Sequence, residues 1–139
     1  MAVQTPIPVH FDQVFPNKAY LTSAVEPIYA FVDGQRGAQD IHPVTGEPMW
    51  QVTVLDADPN AKGAAKTVKV KLASRVQPVP PAPTNGSPFA EVEFVDLAVT
   101  PYVVEVMKGR YKVAYSLQAR GFAEPTATSV PVDRSKVAV

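Results

Sequence analysis

The sequence predicts an all-β domain, and this prediction depends on three observations. Fifteen prolines are spread over the 139 residues of the chain, and proline kinks or breaks a helix when it stands in the interior. No segment sustains the apolar repeat of about 3.6 residues that a helix with one buried face would show. Several segments instead alternate apolar and polar side chains, which is typical of strands that bury one face.

Five strands are expected, at residues 19–32, 49–56, 66–75, 91–104 and 111–119. The first contains Pro27, where we expect a bend or a bulge. The second places Trp50 on the same face as two valines, which favours a core position for this indole over an exposed one. The fifth aligns Tyr111 and Tyr115 with apolar neighbours, so we expect both rings to be buried.

The third predicted strand is the most basic part of the chain. Its alternation gives it an apolar face of Val68, Val70 and Leu72 and a cationic face of Lys69, Lys71 and Arg75. Such a row of cations can bind a polyanion such as a nucleic acid backbone. Lysines on an edge strand can equally serve to prevent aggregation between strands. The strand alone leaves both interpretations open.

Positive charge is segregated although the chain has no net charge. Nine of the thirteen basic residues lie in two segments without acidic residues, 59–90 and 106–123. The chain has no cysteine, which excludes disulfides, thiolate zinc sites and a thiol nucleophile. It has no apolar run near the ~20 residues that cross a bilayer, and its first residues lack the pattern of a secretory signal. We therefore expect a cytoplasmic protein without a membrane partner.

The connections between the predicted strands indicate how they pair. Residues 58–63 and 107–110 have the composition of hairpin turns, and the Pro-rich segment 76–88 must be extended rather than helical. Three strands joined by hairpins, a long crossing and a final hairpin are the order of a five-stranded OB-fold barrel. We therefore predict an OB-like barrel over residues 1–122, with the Pro-rich crossing in place of the usual helix. The alternative is a β-sandwich, and residues 123–139 are expected to be a disordered tail.

Few residues support catalysis. The two histidines, His10 and His42, each lie near prolines, and neither belongs to a catalytic or phosphate-binding motif. Asp56 and Asp58 end the second strand before a proline, where paired carboxylates more often cap a turn than bind a metal. We therefore expect no enzymatic activity, no cofactor and no metal.

The basic segments favour binding to nucleic acid. In an OB barrel, the exposed face of the second and third strands forms the oligonucleotide groove together with the loops that follow the first and fourth strands. Aromatic side chains in such a groove stack on bases, and each stacked base contributes about 1–3 kcal/mol. The residues predicted to line the groove are Arg36, Trp50, Lys69, Lys71, Arg75, Tyr102, Lys108, Arg110 and Lys112.

Several segments of the chain also resemble a known family. They are Pro6–Val9, Val14–Pro16, Val25–Pro27, Thr45–Pro59, Val76–Pro81, Val92–Phe94, Val99–Val103 and Ala114–Gly121. Together they are similar to the plasmid replication, integration and excision activator proteins of actinobacterial integrative and conjugative plasmids, over residues 6–122. The resemblance implies a small cytoplasmic protein that acts in replication or mobilisation of a mobile element, and it carries over no catalytic residues.

Residues and resemblance together predict a single-stranded DNA-binding accessory protein of a mobile element, without sequence-specific readout. Such elements pass through single-stranded intermediates, which a small OB protein is suited to coat or deliver. The alternative is a replication or transcription co-activator that docks on other proteins through the Pro-rich segment or an exposed strand edge. The expected partners are single-stranded DNA and replication or transfer proteins, and the sequence leaves open whether the chain forms a homo-oligomer.

Overall fold

A computed structural model describes residues 3–83 and 86–123 of the chain. Strands make up 50% of the described residues and helices 5%, which confirms the all-β prediction. No helix in the described part is long and apolar enough to cross a membrane. Apart from Ala123, the predicted tail lies outside the described residues.

Twelve strands and one short α-helix form the regular structure of the described residues. The strands are β1 (Ile7–Pro8), β2 (Ala19–Leu21), β3 (Glu26–Pro27), β4 (Tyr29–Val32), β5 (Gln35–Gln39), β6 (Met49–Asp56), β7 (Thr67–Ala73), β8 (Glu91–Val92), β9 (Phe94–Val95), β10 (Ala98–Met107), β11 (Arg110–Ala119) and β12 (Gly121–Phe122). The helix α1 spans Phe11–Val14, and a 3₁₀ turn spans Gly63–Lys66.

Eight strands form one main sheet. Its order is β1-β10-β11-β7-β6-β2-β8, and β3 also pairs with the start of β6. All pairs in it are antiparallel except β11 with β7, which are parallel over three residue pairs that begin at Leu117 and Val70. The predicted pairings of the first strand with the second, the second with the third and the fourth with the fifth are confirmed. Among the described strands the sheet does not close into a barrel, so the predicted barrel is not confirmed.

The first predicted strand is divided into three. Only β2 and β3 stay beside β6, while β4 turns away into a separate hairpin with β5. Asp33 and Gly34 join β4 to β5 with φ angles of 54° and 77°, as a two-residue hairpin turn requires. Because β5 has no apolar alternation, the sequence predicts only a loop there.

The Pro-rich crossing connects β7 to β8 as predicted. It contains neither helix nor strand over residues 74–83 and 86–90. Gln77 holds it against the domain, because its side-chain amide donates a hydrogen bond to the carbonyl oxygen of Val25 at 3.0 Å. The described part of the crossing is therefore irregular and mostly lies at the surface.

The core packs against the apolar face of β6 and β7. Its centre consists of side chains that are fully buried: Val52, Val54, Val70 and Leu72. Phenylalanine rings from α1, the loop after it, β9 and β12 add to this core, with centroids of neighbouring rings 5.2–6.5 Å apart. The alternation therefore places one face of β6 and of β7 in the core, and the other face lies outside it.

The hairpin of β10 and β11 extends beyond this core. β1 covers β10 only at Ala98 and Val99, and β7 covers β11 only from Leu117 onward. Residues 100–116, called the arm below, therefore have no neighbouring described strand except each other. Tyr111 and Tyr115 are each 64% exposed in the arm, so the prediction that both rings are buried is wrong. They share a face with Leu117, but the core ends at that residue.

Candidate functional site

A cleft opens where β7 and β11 diverge. The two strands pair only over residues 70–72 of β7 and 117–119 of β11, so they separate toward their amino-terminal ends. The cleft between them has a volume of about 1150 Å³. Its polar and aromatic walls include Gln51, Lys69, Lys71, Tyr102, Tyr115 and Ser116.

Lys69 and Lys71 form the cationic wall of the cleft. In β7 they alternate with side chains that are buried in the core, which forces both ammonium groups onto the exposed face. The predicted alternation is confirmed here. Within residues 3–83 and 86–123, the one side-chain ion pair joins Lys18 to Glu91. No described carboxylate therefore forms an ion pair with either lysine of the cleft.

Tyr102 and Tyr115 bring aromatic surface to the same cleft. Tyr102 lies opposite Ala114 and Tyr115 lies opposite Pro101, so the two rings leave opposite faces of the arm. Both rings are exposed and both border the cleft. The sequence predicts Tyr102 as a site residue but not Tyr115. The alternation of β11 is the same where β7 supports it and where it extends beyond β7. The sequence therefore contains no signal that Tyr115 is exposed and not buried.

Three further predicted cations lie in the arm. Lys108 is in the turn between β10 and β11, and Arg110 and Lys112 lie at the start of β11. All three side chains are exposed. Lys112 is two residues from Ala114, the partner of Tyr102, so Lys112 and Tyr102 share one face of the arm. That face therefore combines a ring with positive charge.

Three predicted residues lie outside the cleft. Arg36 is on β5, with its guanidinium carbon 4.5 Å from the centroid of the Tyr29 ring. Trp50 packs against the core, and its indole N–H donates to the carbonyl oxygen of Ser74 at 3.0 Å. Arg75 lies two residues beyond the end of β7, not on its cationic face. None of the three lines the cleft, so the predicted residues do not all converge, and the binding role of these three stays a prediction.

The carboxylates of Asp56 and Asp58 cap a turn, as the sequence predicts. Asp56 accepts a hydrogen bond from the backbone N–H of Asp58 at 3.0 Å, and Asp58 accepts one from Asn60 at 2.9 Å. His42 acts similarly, because its Nδ1 accepts from the backbone N–H of Val44 at 3.1 Å. In the described part of the chain, no three metal-binding side chains come together to hold a metal ion.

Comparisons of the chain with protein-family models, with curated proteins and with solved structures find no match. The resemblance to plasmid replication, integration and excision activators therefore stays a prediction.

Proposed function

We propose that the chain is a single-stranded DNA-binding accessory protein of a mobile element, which binds the strand in the cleft without reading its sequence. The observation that carries this proposal is the meeting of two lysines and two exposed tyrosine rings in one open cleft. Phosphates of the strand pair with Lys69 and Lys71, and unstacked bases stack on Tyr102 and Tyr115. A cationic groove with stacking platforms is the combination that sequence-independent single-strand binding needs.

The chemistry of the cleft favours binding over catalysis. The described side chains that line it are lysines, tyrosines, amides, hydroxyls and aliphatic groups, with no histidine or carboxylate among them. General acid-base or nucleophilic catalysis needs a group that can move a proton near neutral pH, and these side chains do not supply one. The proposed role is therefore non-enzymatic, requires no cofactor and belongs in the cytoplasm, where plasmid DNA is replicated.

The strand connectivity supports an OB-like variant as the fold that presents this cleft. β2, β6 and β7 are linked in succession, a long crossing follows, and β10 and β11 form the final hairpin, which is the OB order of strands. The proposed variant has the Pro-rich crossing instead of a helix and an open sheet instead of a closed barrel. A small fold that presents such a cleft is compatible with the role in replication or mobilisation that the resemblance implies.

Fluorescence anisotropy of a labelled oligo-dT at low salt tests the proposal. Tyr102→Leu should weaken binding at least about fivefold, because the loss of stacking on one base costs about 1–3 kcal/mol. Phe31→Leu is the matched control, since Phe31 is an exposed ring on β4 that does not line the cleft. Its affinity should equal that of the wild type. A wild-type protein that does not bind oligo-dT, or an equal loss in both variants, would refute the proposal.

The second candidate function is a co-activator that binds another protein through the Pro-rich crossing. One observation favours it: Val76 and Val79 are 73% and 83% exposed and lie one polyproline II turn apart. Neighbouring prolines hold such a segment extended before it binds, so little entropy is lost on docking. A pull-down from nuclease-treated extract separates the two functions. Protein capture that is lost in Val76→Asp/Val79→Asp, without any oligo-dT binding by the wild type, would favour the co-activator.

A further inference from the structure

A row of polar side chains crosses the main sheet beside the cleft. Lys71 lies directly opposite Gln51 on β6 and directly opposite Gln118 on β11. Residues that lie opposite one another in neighbouring strands project from the same face of a sheet, so the ammonium group has one amide on each side. Adjacent strands are about 4.8 Å apart, which places the three side chains within reach of one ligand. Gln51, Lys71 and Gln118 are called the amide–lysine row below.

The two amides of this row have no hydrogen-bond partner among the described groups of the protein. Gln39, Gln51 and Gln118 are the half-buried glutamines of the described residues. The amide of Gln39 donates to the carbonyl oxygen of Met49 at 2.8 Å. The other described glutamine side chains that form hydrogen bonds are those of Gln13 and Gln77. Since polar groups that lose water are normally hydrogen-bonded, the free N–H groups of the row favour a ligand rich in acceptor oxygens.

The charges near the row favour an anion as that ligand. Lys69 lies on the same face as Lys71 and about 7 Å along the strand from it. Glu26, opposite Gln51 on β3, is the one carboxylate among the described residues in register with the row. It lies two strand spacings from Lys71, about 10 Å, and forms no ion pair with it. This distance is about one Debye length at 0.1 M salt, so salt strongly weakens the repulsion between Glu26 and an anion at Lys71.

We propose that the amide–lysine row is a phosphate-binding subsite, in which Gln51 and Gln118 donate hydrogen bonds to the phosphate that pairs with Lys71. The subsite rests on the proposed function for its ligand, a phosphate of the DNA strand in the cleft. Glutamine side chains commonly donate to phosphate oxygens in complexes with DNA, where such contacts position the backbone without reading the sequence.

Lys69 lacks the same arrangement. It lies opposite Thr53 on β6, but the pairing of β7 with β11 begins only at Val70 and Leu117. Lys69 therefore has a paired strand on one side and the open cleft on the other. We expect the phosphate at Lys71 to be held by more hydrogen bonds than the phosphate at Lys69, so that Lys71 fixes the position of the strand.

Anisotropy of labelled oligo-dT over a salt series tests the subsite, because a neutral donor and a cation affect it differently. Gln118→Leu should weaken binding at least about threefold, since hydrogen bonds to a charged group are lost. Its salt slope should stay that of the wild type, because the same number of counterions is released. Gln118→Glu should weaken binding further and make the slope shallower by about 0.7, because its carboxylate replaces the phosphate at Lys71. A glutamine with a purely structural role would not produce this difference in slope.

Gln35→Leu and Gln35→Glu are the matched controls. Gln35 is an exposed residue of β5, in the hairpin outside the main sheet, and does not line the cleft. Both control variants should bind oligo-dT with the affinity and the salt slope of the wild type.

A second measurement separates the subsite from the proposed function. Pyrophosphate has the chemistry of the ligand without a sugar or a base. At constant ionic strength it should shift the NMR signals of the side-chain amides of Gln51 and Gln118, and Lys71→Ala should abolish the shifts while Lys69→Ala retains them. Because the wild type itself is titrated, this result does not depend on whether a glutamine variant folds.

The outcomes distinguish the two proposals. If the wild type binds oligo-dT and Gln51→Leu/Gln118→Leu binds it equally well, the subsite is overturned and the proposed function stands. If the wild type does not bind oligo-dT, the proposed function is refuted and the pyrophosphate titration decides on the subsite. Amide signals that pyrophosphate does not shift, or shifts that depend equally on Lys69, would then overturn the subsite as well.

Discussion

Replacing Lys69 and Lys71 by alanine should make binding to single-stranded DNA less sensitive to salt. Both ammonium groups lie on the exposed face of β7 and line the cleft. Each phosphate that pairs with a cation releases counterions, so log affinity falls with log salt with a slope of about −0.7 per phosphate. If each lysine pairs with one phosphate, the double variant should have a slope that is shallower by about 1.4.

The expected change in affinity follows from the slope difference and the range of salt concentrations. Between about 50 and 200 mM salt, a fourfold change, a slope difference of about 1.4 amounts to a factor of about 7. The double variant should therefore lose about sevenfold more affinity at the lower salt than at the higher. A variant that is simply less well folded would lose the same factor at both concentrations. The ratio of the two losses thus separates a lost phosphate contact from a damaged fold.

The assay is the anisotropy of labelled oligo-dT over a salt series, with Lys18→Ala/Arg36→Ala as the control. The control removes the same number of positive charges outside the cleft. Lys18 lies two strands from β7 and about four residues along from Lys69, roughly 15 Å away. This distance exceeds the Debye length of about 10 Å at 0.1 M salt, so the control should keep the wild-type slope.

Two results would refute the reasoning. A double variant with the slope of the wild type would mean that Lys69 and Lys71 contact no phosphate, and the cleft would lose its cationic function. An equally shallow slope in Lys18→Ala/Arg36→Ala would mean that total charge sets the salt dependence, irrespective of where the cations lie.

Two further predictions test the arm. Leu117→Ala should lower the free energy of unfolding in urea by about 2–5 kcal/mol, because Leu117 is buried where β11 meets β7. Tyr115→Thr, on the same face but exposed, should change it by no more than about 0.5 kcal/mol, and equal effects would contradict the exposure of the arm. Gly109→Ala should speed hydrogen exchange of the arm amides, because Gly109 has a φ of 81°, a left-handed conformation that costs other residues about 1–2 kcal/mol. Gly121→Ala, with open space around its Cβ position and no left-handed φ, should leave that exchange unchanged.

The parts of the fold that the sequence predicts correctly are those that depend on neighbours along the chain. Alternation is a local property of an extended backbone, so it identifies the buried faces of β6 and β7 without knowledge of their partners. The turns at Pro59 and Gly109 are equally local. The first depends on the restricted φ of proline and the second on the positive φ that glycine permits. For this reason the sequence could predict Lys69, Lys71 and Tyr102 as exposed site residues. Their exposure follows from strands that the sequence locates correctly.

The parts that could not be predicted depend on contacts between distant segments. Nothing in residues 19–32 indicates that β4 leaves β6, because that depends on pairing with the polar strand β5. The departure of β4 carries Arg36 away from the cleft. The end of β7 at Ala73 likewise leaves Arg75 outside the cationic face. The prediction that both arginines lie in the groove depends on regular strands and a closed barrel, and local patterns test neither assumption.

The arm shows why strand ends matter for function in this chain. Period-two alternation states which side chains share a face, but a face is buried only as far as a neighbouring strand or the core extends. β11 has ten residues and pairs with β7 at three of them, so its pattern continues past its support. Beyond Leu117, the face of β11 that would otherwise complete the core is exposed at Val113 and Tyr115, and the opposite face keeps its cations. The proposed cleft for a strand of DNA therefore arises from one cause: the alternating strand β11 is longer than its pairing with β7.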